Sequence, residues 1–188
     1  ITIAKATPTL MITSANTLHV DDSLTATISS TATYGRGGAI SYAIVAGSGS
    51  ATVNASTGVI TGISIGTVTL TATSAGDSNY SATTTSQLIT ITKATPTVFI
   101  VSGNSVNVDG SLTVTISSTI TGGRGGAVTY AVIAGSGSAT VNPATGIVRG
   151  VSVGTVTLTV TLAGDSNYNG ITVTQLISIG QATPTLVV

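Results

Sequence analysis

The sequence has no cysteine, no tryptophan and no glutamate, and only one histidine, one methionine and one phenylalanine. Without cysteine there are no disulfide staples and no thiolate metal sites, although the compartment stays open. Charged residues make up 5% of the chain and cancel to a net charge of zero. No basic stripe is available for a phosphate backbone or an anionic bilayer, which argues against nucleic-acid binding. Mean hydropathy is positive (+0.57). Yet Thr, Ser or Gly interrupts every apolar run well short of the roughly 18 residues of a spanning helix, so no membrane insertion is expected. One histidine and five scattered aspartates offer no constellation for acid–base or nucleophilic chemistry, so the chain reads as a non-enzyme with no cofactor.

What is present is repetition. Residues 6–93 and 94–181 align without a gap over 88 positions, 56 of them identical. ATPTL at 6–10 returns as ATPTV at 94–98 and as ATPTL at 182–186, and AGDSNY at 75–80 returns at 163–168. Residues 1–5 match the end of a unit and 182–188 the start of one. The expected organisation is therefore a last-strand remnant (1–5), two repeats (6–93 and 94–181) and a first-strand start (182–188), as in a longer array.

Thr, Val, Ile and Gly favour pleated structure and turns. In Thr67-Val68-Thr69-Leu70-Thr71-Ala72-Thr73 the apolar residues take one face and the threonines the other, which predicts a half-buried antiparallel strand. Similar reasoning predicts strands over 9–14, 23–30, 40–46, 50–53, 58–64, 67–74 and 83–92, separated by Gly/Ser/Asn/Asp clusters. Seven short strands in under 90 residues predict an all-β fold of two tandem immunoglobulin-like β-sandwiches arranged end to end. A β-solenoid is the rival, but no 20–30-residue period is present. Between the copies, Ile44-Val45 becomes Val132-Ile133 and Val59-Ile60 becomes Ile147-Val148. These swaps predict that each adjacent pair keeps its summed volume within a close-packed core. Ser74 to Leu162 and Thr83 to Ile171 are expected to lie together on the last hairpin.

The run KATPT, GSGSATVNASTGVITGIS, GTVTLTATSAGDSNY and QLITITKATPT resembles bacterial Ig-like repeats of the Big and MBG type, over both copies. The block from Gly47 to Tyr80 carries most of the resemblance. It implies a place in very long surface adhesins, including gliding adhesins of the SprB kind, and hence an extracellular location on the bacterial surface. Its implied partners are neighbouring repeats of the same chain, with a surface glycan or protein engaged through other regions.

Lys93, Ala94, Thr95 and Pro96 form the junction. Proline fixes φ and pushes Thr95 into extended conformations, and no Gly/Ser tether intervenes. The expectation is a stiff passage from last strand to first, advancing the chain by about 40 Å per repeat.

Other positions weigh toward structure. His19, replaced by Asn107, reads as a solvated residue, because one imidazole makes neither a metal site nor a triad. Asp21-Asp22, matched by Asp109-Gly110, reads as a strand-initiating turn. Asp77 and Asn79, recurring as Asp165 and Asn167, are the candidate calcium ligands. One acid per turn falls short of the six to eight oxygens calcium takes, and the side chains can instead close their own turn. Arg36 and Arg124 read as exposed side chains on glycine turns. A glycan could engage the loops at 34–38 and 122–126, but aromatics are few and Tyr34 becomes Gly122. The ladder Thr67, Thr69, Thr71 and Thr73 resembles ice-binding rows. Sandwich sheets twist by roughly 20° per strand, which spoils a flat lattice match. Exposed Ser and Thr also leave O-glycosylation open.

Overall fold

The computed structural model describes residues 1–32, 37–120 and 125–184. The chain divides into two compact units, Ile1–Ala94 and Thr95–Val188.

In the first unit the strands are β1 (Leu10–Ile12), β2 (Thr17–His19), β3 (Ser23–Thr25), β4 (Ile28–Ser30), β5 (Ile40–Ala46), β6 (Ser50–Val53), β7 (Val59–Ser64), β8 (Gly66–Ser74) and β9 (Thr83–Thr92). One sheet has the order β2-β9-β8-β5, the facing one has β3-β7-β6, and β1 pairs with β4. All pairings are antiparallel except that of β2 on β9. This is an Ig-like sandwich whose first strand crosses between sheets. The second unit repeats it with β10 (Val98–Ile100), β11 (Ser105–Asn107), β12 (Ser111–Thr113), β13 (Ile116–Ser118), β14 (Val128–Ala134), β15 (Ser138–Val141), β16 (Ile147–Ser152), β17 (Gly154–Leu162) and β18 (Ile171–Gly180).

The alternation in β8 is the spine of the core. Val68, Leu70 and Ala72 have no exposed surface, and neither do Val156, Leu158 and Val160 in β17. Ile60 on the facing sheet and Ile89 and Ile91 on the neighbouring strand β9 are buried with the first set, as are Val148, Ile177 and Ile179 in the second unit.

Two expectations needed correction. The strand expected over 23–30 is two strands with different partners, β3 on β7 and β4 on β1. Between them the buried Ala26 donates its N–H to the Gly58 carbonyl at 2.9 Å, so the chain bends under the 54–58 turn. Strand β2 was not foreseen, because its three residues carry one apolar side chain and pair only with a strand seventy residues away.

The volume-keeping pairs also work differently. Adjacent residues on a strand face opposite ways, so they cannot compensate within one core. Val45 and Ile133 are each 65% exposed, whereas Ile44 and Val132 face inward. The balance is struck across the core instead. Leu10, Leu18, Ile40, Ile44 and Ile60 each lose a carbon on becoming Val98, Val106, Val128, Val132 and Val148. Ala26 and Ala72 each gain two on becoming Val114 and Val160. Ser74 and Thr83 are direct cross-strand partners, as are Leu162 and Ile171. Ser74 bonds the Gly37 carbonyl through its hydroxyl, and Leu162 fills the equivalent place with apolar surface beside Ile120.

Candidate functional site

The side chains singled out for calcium lie on the turn just before β9. Asp77 Oδ1 accepts the N–H groups of Asn79 (2.7 Å) and Tyr80 (2.8 Å), and Oδ2 accepts that of Gly37 (2.9 Å). The Asp77 N–H in turn donates to the Tyr80 carbonyl at 2.9 Å. The carboxylate thus closes its own turn and ties it to the loop after β4. The Gly37 N–H, with those of Asn79 and Tyr80, holds the Asp77 carboxyl below its ordinary range, and Lys5 adds to this. Asp165 repeats the arrangement with Asn167 (2.7 Å), Tyr168 (2.8 Å) and Gly125 (2.9 Å).

Three N–H dipoles directed at one carboxylate present positive charge where a cation would sit. Among the described residues, no group of three or more His, Cys, Asp or Glu could hold a metal ion. Asn79 enters this turn through its backbone, donating its N–H to Asp77 and lending its carbonyl to Ala6.

That last contact gives the turn a second task. The Ala6 N–H donates to the Asn79 carbonyl (2.9 Å), and the Ser81 N–H to the Ala6 carbonyl (2.8 Å). The incoming chain is therefore gripped beside the start of β9. In the second unit the Asn169 amide donates to the Thr95 hydroxyl at 2.8 Å, again just ahead of the last strand, β18. Pro8 and Pro96 are both buried a little further along, whereas Lys93 and Thr95 are exposed and Ala94 is half-buried.

The far end of β9 is held by His19. A carbonyl can only accept, so His19 Nδ1 carries its proton, shared between the Lys93 carbonyl (3.0 Å) and the Thr92 hydroxyl (2.7 Å). The Thr92 hydroxyl in turn donates to the Leu18 carbonyl at 3.4 Å. The histidine is exposed, as the sequence implied, but it clasps the outgoing strand, which the sequence did not reveal. In the second unit Asn107 and Gly180 take these places, and a side chain on Gly180 would meet Asn107 Oδ1 at 2.7 Å.

Asp21 and Asp109 adopt φ of 64° immediately before the corner into β3 and β12, a turn in both units. The threonine ladder of β8 lies on the outer face of its sheet. The register sets Thr69 between Val45 and Leu88, and Thr157 between Ile133 and Leu176, so an apolar row interrupts the hydroxyls. The cores of the glycan-loop candidates, with Tyr34, Arg36, Gly122 and Arg124, lie outside the described residues, as do Thr185–Val188 of the trailing segment.

Residues 89–168 match the family model for bacterial Ig-like domain (group 2). No curated protein matches the chain by sequence. Solved structures similar to it include fibronectin(III)-like modules of Clostridium thermocellum CbhA. These share 14% identity over 92% of this chain and 95% of that one, with a TM-score of 0.36. A C-terminal intimin fragment, solved with the intimin-binding domain of its translocated receptor, shares 19% over 93% of this chain, with a TM-score of 0.34. Drosophila N-cadherin EC1-3 shares 17% over 88%, with a TM-score of 0.33. This chain spans 64% of the length of each of the last two.

Proposed function

We propose that these repeats are structural stalk units of a long bacterial cell-surface adhesin, extracellular, projecting a distal binding region and bearing tension. Bacterial Ig-like domains are commonly used in adhesion and surface proteins. The observation that carries the proposal lies within the first unit. Its incoming segment is gripped at Ala6, beside the start of β9, and its outgoing segment is clasped by His19 at Thr92 and Lys93, at the end of β9. The ten-residue strand β9 runs between the two grips, roughly 33 Å at the usual rise per residue.

A domain that takes in the chain at one pole and releases it at the other can carry tension along its own length. Pull applied through the two ends would load the ladder of β9 against β8 in shear, across all nine of its residue pairs. Five residues, 93–97, separate β9 from β10, and none is glycine or serine. So short a passage, with a proline buried in it, suits a stiff junction better than a tether. The gliding-adhesin assignment and the engagement of a surface glycan or protein elsewhere in the parent chain belong to the same proposal.

Small-angle scattering on two-repeat and four-repeat proteins tests it. The maximum dimension is expected to grow nearly linearly, by about 40 Å per added repeat. Growth closer to a square root of repeat number would remove the stiff-stalk reading.

A further inference from the structure

Among the core-facing positions of β9 one residue is out of place. Thr85, Ile89 and Ile91 suit an apolar interior, but Gln87 stands between them. The second copy changes Thr85 to Val173 and keeps the glutamine as Gln175. An inward amide retained while its neighbour turns aliphatic has a task, and its surroundings show which.

Gln87 lies beneath residues 13–16, where the chain leaves the β1–β4 ladder and joins β2 to β9. Backbone groups in such a crossover lose their sheet partners and need others. The Thr13 N–H donates to the Thr27 carbonyl (2.9 Å), and the Asn16 carbonyl accepts from the Thr90 N–H (2.8 Å). The Ser14 carbonyl accepts from Gln87 Nε2 at 3.3 Å. The side chain thus replaces a missing rung.

Two atoms remain over. Gln87 Oε1 and Ser14 Oγ each expose less than 1 Å² and have no hydrogen-bond partner, and the same holds for Gln175 Oε1 and Ser102 Oγ in the second unit. Turning the amide over would set Oε1 against the Ser14 carbonyl, acceptor facing acceptor, and strand a buried donor, so the orientation is fixed. The surplus in each unit is one pure acceptor and one hydroxyl that can donate or accept. One small neutral molecule that donates to the first and bonds the second satisfies both, and that chemistry is water's.

We propose that each unit holds one buried structural water, donating to Gln87 Oε1 and accepting from Ser14 Oγ–H, with its twin between Gln175 and Ser102. The site fastens the crossover of the first strand to the last strand, and it stands whether or not the repeats serve as a stalk. It also explains why Gln and Ser persist together in both copies while Thr13, Ala15 and Ser86 beside them become Val101, Gly103 and Thr174.

A high-resolution crystal structure of the whole chain tests the site directly. The expected result is a density peak within about 2.5–3.0 Å of both oxygens in each unit. An empty site, or a direct Ser14 Oγ–Gln87 Oε1 bond, overturns it. Thermal melting of Ser14→Ala supplies a second test of opposite sign. Loss of a water anchor lowers the melting temperature of the first unit by about 4–8 °C. Were the hydroxyl merely stranded, its removal would leave the melting temperature unchanged or raise it, and either result overturns the proposal.

Discussion

Ala72→Val asks whether the two cores are balanced as wholes. Ala72 and its counterpart Val160 both have no exposed surface, so neither position has slack. In the second unit Val160 shares one buried cluster with Val148, and Val132 packs against it. There Val132 and Val148 stand where the first unit has Ile44 and Ile60, and the shorter side chains supply the room. Placed alone in the first unit, Ala72→Val adds two carbons to a filled interior. Overpacking of that size costs about 1–3 kcal/mol. At 2 kcal/mol the melting temperature of an 88-residue domain falls by roughly 8–16 °C. Ile44→Val and Ile60→Val each remove one carbon and each alone costs about 0.5–1.5 kcal/mol. Combined with Ala72→Val they restore the volume, and the triple variant is expected within about 1.5 kcal/mol of the parent. Two changes that destabilise the parent therefore stabilise the Ala72→Val background. Scanning calorimetry of the whole chain, following the first unit's transition, reads this change of sign. Simple additivity, with the triple variant the least stable of the set, would refute the whole-core balance.

Gly58 adopts φ of +69°, and a Cβ there would lie 2.9 Å from the Tyr42 ring, with the same geometry at Gly146 over Tyr130. Gly58→Ala is expected to destabilise the first unit by at least the roughly 1–2 kcal/mol cost of a left-handed L-residue, readable as a fall in urea midpoint. Asp77 has a folded pKa below its unfolded one, so its contribution to stability is present above the unfolded carboxyl range and is lost as pH falls through the folded value. Asp77→Asn should therefore lower the melting temperature at pH 7 and narrow the gap to the parent in strong acid; a constant gap down to pH 2 would count against the clamp. Because that carboxylate is already committed to three N–H groups, neither calcium nor EDTA should move the melting temperature, and a calcium-dependent rise would restore the cation reading.

The sheets were legible because strands announce themselves by alternation. Predicted 40–46, 50–53 and 83–92 coincide with β5, β6 and β9, and β7 and β8 differ by a single residue at one end. The failures fall where periodicity has nothing to say. Three residues of β2 are too few to show a period, and the break between β3 and β4 follows from a carbonyl on a turn thirty residues away. The Asp77 turn was readable as a local motif, since its Oδ1 partners lie two and three residues on, but the Gly37 contact that makes it a clamp spans forty. His19 and Gln87 were opaque for the same reason: each acts on a group more than seventy residues distant. A polar residue inside a strand's apolar register, kept in both copies, marks a backbone that needs a partner, and Gln87/Gln175 is that case. Comparison of the two copies carries further when positions are paired by facing sheet rather than by adjacency in the chain. On that rule Ile44 belongs with Ile60 and Ala72 rather than with Val45, and the carbon balance of the core follows.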